Sequence, residues 1–157
     1  MMPRETRAAV PRARKVEGCT FCRIASGEAE SHVVLEDEVS LAFLDRRPLF
    51  PGHTLLIPKG HYETLSELPH GLVPPLFANV QLLAAAVTEA TGSQGSFVAI
   101  NTRVSQSVPH VHVHIVPRSK GDGLKGFFWP RHPYKSEEVI LATQEAIRSA
   151  VKRLQRE

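Results

Sequence analysis

Cysteine is scarce in this chain. Two cysteines among 157 residues cannot build a disulfide framework, and such usage fits a reducing compartment. Aromatic residues make up 6% of the chain, with one tryptophan. No row of stacking platforms therefore accompanies its positive charge. No uninterrupted apolar run reaches the roughly 18 residues that a membrane helix needs. The N-terminal stretch holds no apolar h-region, so secretion is not expected and a cytoplasmic location is. No internal repeat is visible. Disorder is excluded as well. With 42% hydrophobic and 22% charged residues, a chain of this length can bury a sizeable core without staples.

The excess of positive charge is local. The formal net charge is +3. In residues 1–15, Arg4, Arg7, Arg12, Arg14 and Lys15 stand against Glu5 alone, a local +4 that leaves −1 for the rest. The remainder is near neutral, and nucleic acid is not an expected partner. Residues 1–16 are expected to form a flexible basic tail. Residues 17–157 are expected to form one domain with a C-terminal extension over 120–157.

Proline is plentiful, at twelve, which favours a turn-broken mixed fold over a helical bundle. Cys19 to Ser26 reads as a short helix ending at Gly27. Val33–Leu35 and Val39–Leu44 read as a hairpin across Glu36-Asp37-Glu38. His53–Ile57 is a third strand, stopped by Pro58. From Pro69 to Thr91 the period changes: Leu72, Leu76, Val80, Leu83 and Val87 form one helical stripe. Pro74 and Pro75 sit where a first turn tolerates them, and Gly92 is a C-terminal stop. Ser96–Asn101 and Val108–Val116 complete five strands. Ser136 can cap a last helix over 136–153, with Val139, Ile140, Ile147, Ala150, Val151 and Leu154 as its apolar face and Thr143 weakening it. The sum is an α+β fold with a mainly antiparallel five-stranded sheet, one long helix and a C-terminal helix.

Histidine is the second excess, at eight. His110, His112 and His114 alternate with Val111, Val113 and Ile115. On a strand this alternation puts the imidazoles on one face and the aliphatic residues on the other. Burying such a set without a task is costly. Three chemistries remain open: a metal cluster, a pH-sensing charge cluster, or a nucleophile with neighbours that stabilise charge on a phosphate. Cys19-Thr20-Phe21-Cys22 has metal-ligand spacing, but two cysteines exclude a Cys₄ site within one chain.

The run His110-Val111-His112-Val113-His114-Ile115-Val116, preceded by Gln106-Ser107-Val108, resembles the signature of the histidine triad (HIT) superfamily. Leu41-Ala42-Phe43-Leu44-Asp45 and Pro51-Gly52-His53-Thr54-Leu55-Leu56-Ile57-Pro58-Lys59 match it in content and order, so the resemblance covers about Cys19 to Arg118. The Pro117-Arg118 ending is similar to the fragile histidine triad branch. The Cys-x-x-Cys start and Asp45 are similar to bacterial histidine triad nucleotide-binding proteins.

The resemblance implies a nucleotidyl hydrolase or transferase acting on purine nucleoside phosphates, such as dinucleoside polyphosphates or phosphoramidates. The alternative is a nucleotide-binding regulatory protein with incidental activity. It implies His112 as the nucleophile, with its tautomer fixed by the His110 carbonyl. His114 and His53 would contact phosphate oxygens, and Ser107 would donate a proton near the leaving group. Asp45 would bind the ribose, Phe21, Ile24 and Phe43 the purine, and Asn101 and Gln106 the phosphate side. It implies a structural zinc ion on Cys19, Cys22, His61 and His110, and a homodimer formed through the long helix and a strand. The segment from Asn101 to Gln106 is shorter than in the family and carries Ser105 where glycine is common. Gly126–Arg131, rich in aromatic residues, reads equally as a hydrophobic latch or as a lid or dimer contact, with Arg118, Lys120, Lys125 and Arg131 attractive to polyphosphate. His32, His70 and His132 are expected to be surface residues.

Overall fold

The computed structural model describes residues 14–124 and 132–155. The chain divides into two compact units after Asp122. The first carries helix α1 (Thr20–Ala25), strands β1 (Val33–Glu36), β2 (Ser40–Leu44) and β3 (Thr54–Pro58), helix α2 (Val73–Thr91), and strands β4 (Gly95–Ala99) and β5 (Val113–Arg118). The second carries helix α3 (Glu137–Leu154). Two short 3₁₀ turns, Leu65–Glu67 and His70–Leu72, lead into α2.

The sheet runs β1-β2-β3-β5-β4, and every neighbouring pair is antiparallel. Alternation along its strands feeds two cores. Ala42, Leu56, Val113 and Ile115 pack against Leu76, Val80, Leu83 and Val87 of α2. Leu41, Phe43, Leu55 and Ile57 point the other way and meet Cys19, Phe21 and Cys22 from the α1 segment. β3 is covered on both sides, and all five of its residues are buried.

The local chemistry of the turns sets these boundaries. In the β1–β2 turn the Asp37 carboxylate accepts N–H bonds from Val39 and Ser40 at 2.9 and 2.8 Å, an Asx turn. Helix α2 ends at Gly92 with φ +64°, a left-handed cap that glycine adopts without steric cost. The apolar stripe of α2 places Leu76, Val80, Leu83 and Val87 in the core, each worth about 1.5–3 kcal/mol of burial. His70–Thr91 is long and apolar enough to cross a membrane by length and composition. Those four side chains instead cover the sheet, as the core helix of a globular unit does.

The structure adjusts several sequence expectations. Helix α2 begins at Val73, not Pro69, because the preceding residues form 3₁₀ turns. β4 ends at Ala99, short of Asn101. β5 begins at Val113 rather than Val108. Pro109 has no N–H to give, and Val111 donates its N–H to Tyr62 at 2.6 Å instead of to a neighbouring strand. Ser136 occupies the N-cap of α3, but its side chain makes no cap bond. Arg14 and Lys15, at the end of the basic segment, are tied to the first unit. The Arg14 carbonyl accepts the His61 N–H at 2.7 Å, and Lys15 pairs with Glu28. Residues 1–13 lie outside the described residues.

Candidate active site and metal group

His112 lies against the α1 side of the sheet, 2% exposed, with Phe21 edge-on at 5.1 Å between centroids. Its Nδ1 is 2.7 Å from the His110 carbonyl oxygen. That oxygen can only accept, so Nδ1 carries the proton and Nε2 keeps a lone pair. With Nδ1 so engaged, Nε2 is the nitrogen left for nucleophilic attack, and His112 lines a cleft of about 620 Å³.

A second chain of hydrogen bonds fixes His114. Leu49 donates its N–H to His53 Nδ1 at 3.1 Å, so the proton of His53 sits on Nε2. Nε2 is 3.0 Å from His114 Nδ1 and donates to it. His114 therefore carries its proton on Nε2. Burial, followed by the neighbouring His112 and His53, pushes His114 down to about 4, so the ring is neutral near pH 7. Burial lowers His53 too, with the Asp45 carboxylate, 3.7 Å from Nδ1, acting in the opposite sense.

The cleft is lined by Phe21, Ile24, Phe43, Asp45, Ser107, His112 and His114 among the residues expected from the sequence. Asp45 also accepts the Arg47 N–H at 2.9 Å. Three expected residues do not line it. His53 is 3% exposed, with both ring nitrogens engaged. The Asn101 amide donates to the Ser105 carbonyl at 3.2 Å. Gln106 accepts the Arg103 N–H at 2.7 Å and donates to the Glu63 carbonyl at 2.6 Å. It braces a loop in which Arg103 and Ser105 hold φ of 64° and 58°, left-handed geometry that costs a non-glycine residue energy. Leu55, Arg23, Arg46 and Arg47 also line the cleft. Sequence reasoning passed over them, although Arg46-Arg47 directly follows Asp45. Gly126–Arg131 and Lys125 lie outside the described residues. His32, His70 and His132 are exposed.

Behind His112 lies a buried set of soft and imidazole donors. One donor atom from each of Cys19, Cys22, His61 and His110 lies within 4.8 Å of the others. Cys22 Sγ is 3.3 Å from His61 Nδ1, and the Cys19 and Cys22 sulfurs are 3.6 and 3.7 Å from His110 Nδ1. His110 donates from Nε2 to the Pro58 carbonyl at 2.9 Å, which turns the lone pair of Nδ1 toward the thiols. Burial lowers His110 to about 4 and keeps it neutral, as a ligand must be. Burial also pushes the Cys22 thiol up, so its deprotonation would have to accompany any metal binding. The group could hold a metal ion. Asp45, His53 and His114 also converge, but there the two ring nitrogens already share a proton and the Leu49 N–H blocks the tautomer a metal would need.

An antiparallel sheet whose strand β5 is entered through His-x-His-x-His, with two of the histidines lining a cleft, defines the histidine triad class. A family model described as the HIT domain matches residues 26–121, and the chain belongs to that family. It is 40% identical over 108 residues to adenylylsulfatase HINT3 of Arabidopsis thaliana, covering 68% of this chain but about half, 55%, of that protein. It is 38% identical over 136 residues to adenosine 5'-monophosphoramidase hnt1 of Schizosaccharomyces pombe, covering 85% of this chain and 98% of the relative. A crystal structure of a HIT family member from Bacillus subtilis superposes with a TM-score of 0.78 at 35% identity, covering 85% of this chain and 96% of that one.

Proposed function

We propose that this protein is a nucleotidyl hydrolase or transferase that cleaves the α-phosphate linkage of purine nucleoside phosphates, among them phosphoramidates and dinucleoside polyphosphates. The observation that carries the reading is the single lone pair of His112 beside the cleft, fixed by the 2.7 Å bond to the His110 carbonyl. The hydrolase names of two relatives, an adenylylsulfatase and a phosphoramidase, support the reaction class.

His112 Nε2 attacks the α-phosphorus. A P–N bond to the protein forms while the bond to the leaving group breaks, and Ser107 passes a proton to the departing atom. Water or inorganic phosphate then attacks the same phosphorus, gives a proton back to Ser107, and breaks the P–N bond so that its electron pair returns to Nε2. The Nε2–H of His114 donates to a non-bridging oxygen as charge builds there. Asp45 accepts the ribose hydroxyl protons, and Phe21, Ile24 and Phe43 hold the purine face.

The Cys₂His₂ group is read as a zinc site. For bonds of about 2.3 Å to sulfur and 2.05 Å to nitrogen, a tetrahedron sets S···N near 3.6 Å, against the 3.3, 3.6 and 3.7 Å in this structure. The bound ion would cross-link the α1 segment to the sheet and hold His110 under the nucleophile. All four positions are protein donors, which leaves no place for substrate. Both cysteines are unpaired, in keeping with a reducing cytoplasmic setting, and the working unit is read as a homodimer.

The test is a substrate panel of an adenosine phosphoramidate and a dinucleoside tetraphosphate, with and without phosphate, combined with rapid quenching and intact-mass analysis. A transient nucleotidyl adduct is expected on the wild-type chain. His112→Ala should abolish the adduct and lower turnover by roughly a thousandfold or more, about 4 kcal/mol of barrier. Wild-type turnover in that variant would overturn the mechanism. Tight nucleotide binding without any adduct or product would favour a regulatory protein.

A further inference from the structure

Three arginines line the cleft that holds His112, and no step described above uses them. Arg46 and Arg47 directly follow Asp45, just past the end of β2, and Arg23 comes from α1. Arg46 Nη2 donates to the Glu30 carbonyl at 3.1 Å, which holds that guanidinium on the cleft wall with most of its donors to spare. Arg23 and Arg47 are exposed. Among the described residues neither of their guanidinium groups is in an ion pair. Glu28, Glu30 and Asp45 stand on the same wall. Glu28 is already paired with Lys15, so the three arginines face only Glu30 and Asp45, and the wall keeps a positive excess.

Asp45 sets where that charge meets a nucleotide. Its Oδ2 is 3.7 Å from His53 Nδ1, in the group that also holds His114. Its Oδ1 accepts the Arg47 N–H at 2.9 Å. A ribose held at Asp45 therefore has imidazoles next to one carboxylate oxygen and the Arg46-Arg47 pair next to the other. That sets the histidines beside the 5'-phosphate and the arginines beside the ribose hydroxyls. A planar guanidinium binds a phosphate through two parallel N–H bonds, which a neutral hydroxyl cannot match. Dinucleotide-binding folds likewise use a carboxylate for a free ribose hydroxyl and a nearby arginine for a ribose phosphate.

We propose that Arg23, Arg46 and Arg47 form a second anion subsite, which takes a phosphomonoester on the 2' or 3' position of the ribose while Asp45 accepts the proton of the remaining hydroxyl. The substrate class is then a purine nucleoside 5'-phosphate derivative phosphorylated a second time on its sugar. The subsite rests on the nucleotide reading of the same cleft and leaves the step at His112 unchanged.

The test is calorimetric titration of the full chain with AMP, ATP, adenosine 2',5'-bisphosphate and adenosine 3',5'-bisphosphate, alongside turnover of an adenosine phosphoramidate. At least one bisphosphate should bind roughly tenfold tighter than AMP, and the advantage should shrink as salt rises. Arg23→Gln and Arg47→Gln, on exposed sites where folding is not at risk, should each cut that ratio by about threefold. The double variant should bring the ratio to about one. Lys59→Gln removes an equal charge from outside the cleft, where Lys59 pairs with Glu36 at 2.8 Å, and should keep the wild-type ratio. A wild-type ratio near one, a ratio that the double variant leaves unchanged, or an equal loss in Lys59→Gln each overturns the subsite. A double variant that weakens ATP as much as either bisphosphate would put the arginines on the 5' chain and overturn it too. In all these cases AMP binding and phosphoramidate turnover by the wild-type chain leave the nucleotide reading standing. A wild-type chain that neither binds AMP nor turns over the phosphoramidate overturns both.

Discussion

Replacing His53 tests whether it touches substrate or acts through His114. The side chain is 3% exposed. Its Nδ1 accepts from Leu49 at 3.1 Å and its Nε2 donates to His114 at 3.0 Å. Phenylalanine at 53 keeps the ring shape and removes both bonds, leaving His114 Nδ1 and the Leu49 N–H unpartnered, at about 1–3 kcal/mol for each buried group. Part of that cost falls on the fold. In the proposed mechanism, the catalytic share is the loss of the tautomer that puts a proton on His114 Nε2. A donor aimed at developing phosphate charge is worth up to about 3 kcal/mol, but here it is only loosened, so kcat should fall by roughly 10–100-fold. KM should stay within about twofold, because His53 does not line the cleft. His53→Gln should recover much of kcat, since the Gln amide can donate to His114. Steady-state kinetics on an adenosine phosphoramidate separates these terms, and ¹⁵N shifts of His114 report which nitrogen holds the proton. A raised KM with kcat unchanged in the Phe variant would refute the relay and make His53 a direct phosphate contact.

Three further outcomes follow from the same geometry. Elemental analysis should find about one zinc per chain, and Cys22→Ser should lose it together with several degrees of melting temperature, since the proposed ion would tie α1 to the sheet; a metal content unchanged by the substitution would refute the site. Because His114 titrates at about 4 in the fold against about 6.5 in an unfolded chain, the unfolded state binds more protons between those values. Stability should therefore be full above pH 6.5 and fall as pH drops toward 4, by at most about 3 kcal/mol from this residue, and His114→Asn should flatten that slope in urea titrations. Gly52→Ala should cost about 2–4 kcal/mol in a thermal melt, because φ is +98° and the new Cβ would stand 2.5 Å from Thr91 Cγ2 at the end of α2.

The parts of this molecule that were legible in the sequence are those set by period and by turn chemistry. Of the stripe Leu72, Leu76, Val80, Leu83 and Val87, the last four are the buried face of α2, while Leu72 is half-buried in the 3₁₀ turn before it. The αL position of Gly92 ends that helix. Val111, Val113 and Ile115 are fully buried, and the intervening histidines face the other way. The rest depends on contacts between segments far apart in the chain. The start of β5 turns on a bond between Val111 and Tyr62. The orientation of Gln106 turns on the Glu63 carbonyl. The proton on His114 turns on a backbone N–H in the Leu49 turn. No local spacing encodes these. The family resemblance implies two roles for His110, and its surroundings give each a physical basis. Its ring faces the two cysteines through Nδ1 and is steered by the Pro58 carbonyl at 2.9 Å, while its own carbonyl holds the proton of His112 at 2.7 Å. One residue thus links the Cys₂His₂ group to the proposed nucleophile, through a ring on one side and a backbone oxygen on the other. A change at Cys19 or Cys22 that lets the His110 ring move also moves the oxygen that selects the His112 tautomer. If the group holds a metal as proposed, the cost of losing it should therefore be read in kcat as well as in stability, with KM, set by the cleft walls, changing least.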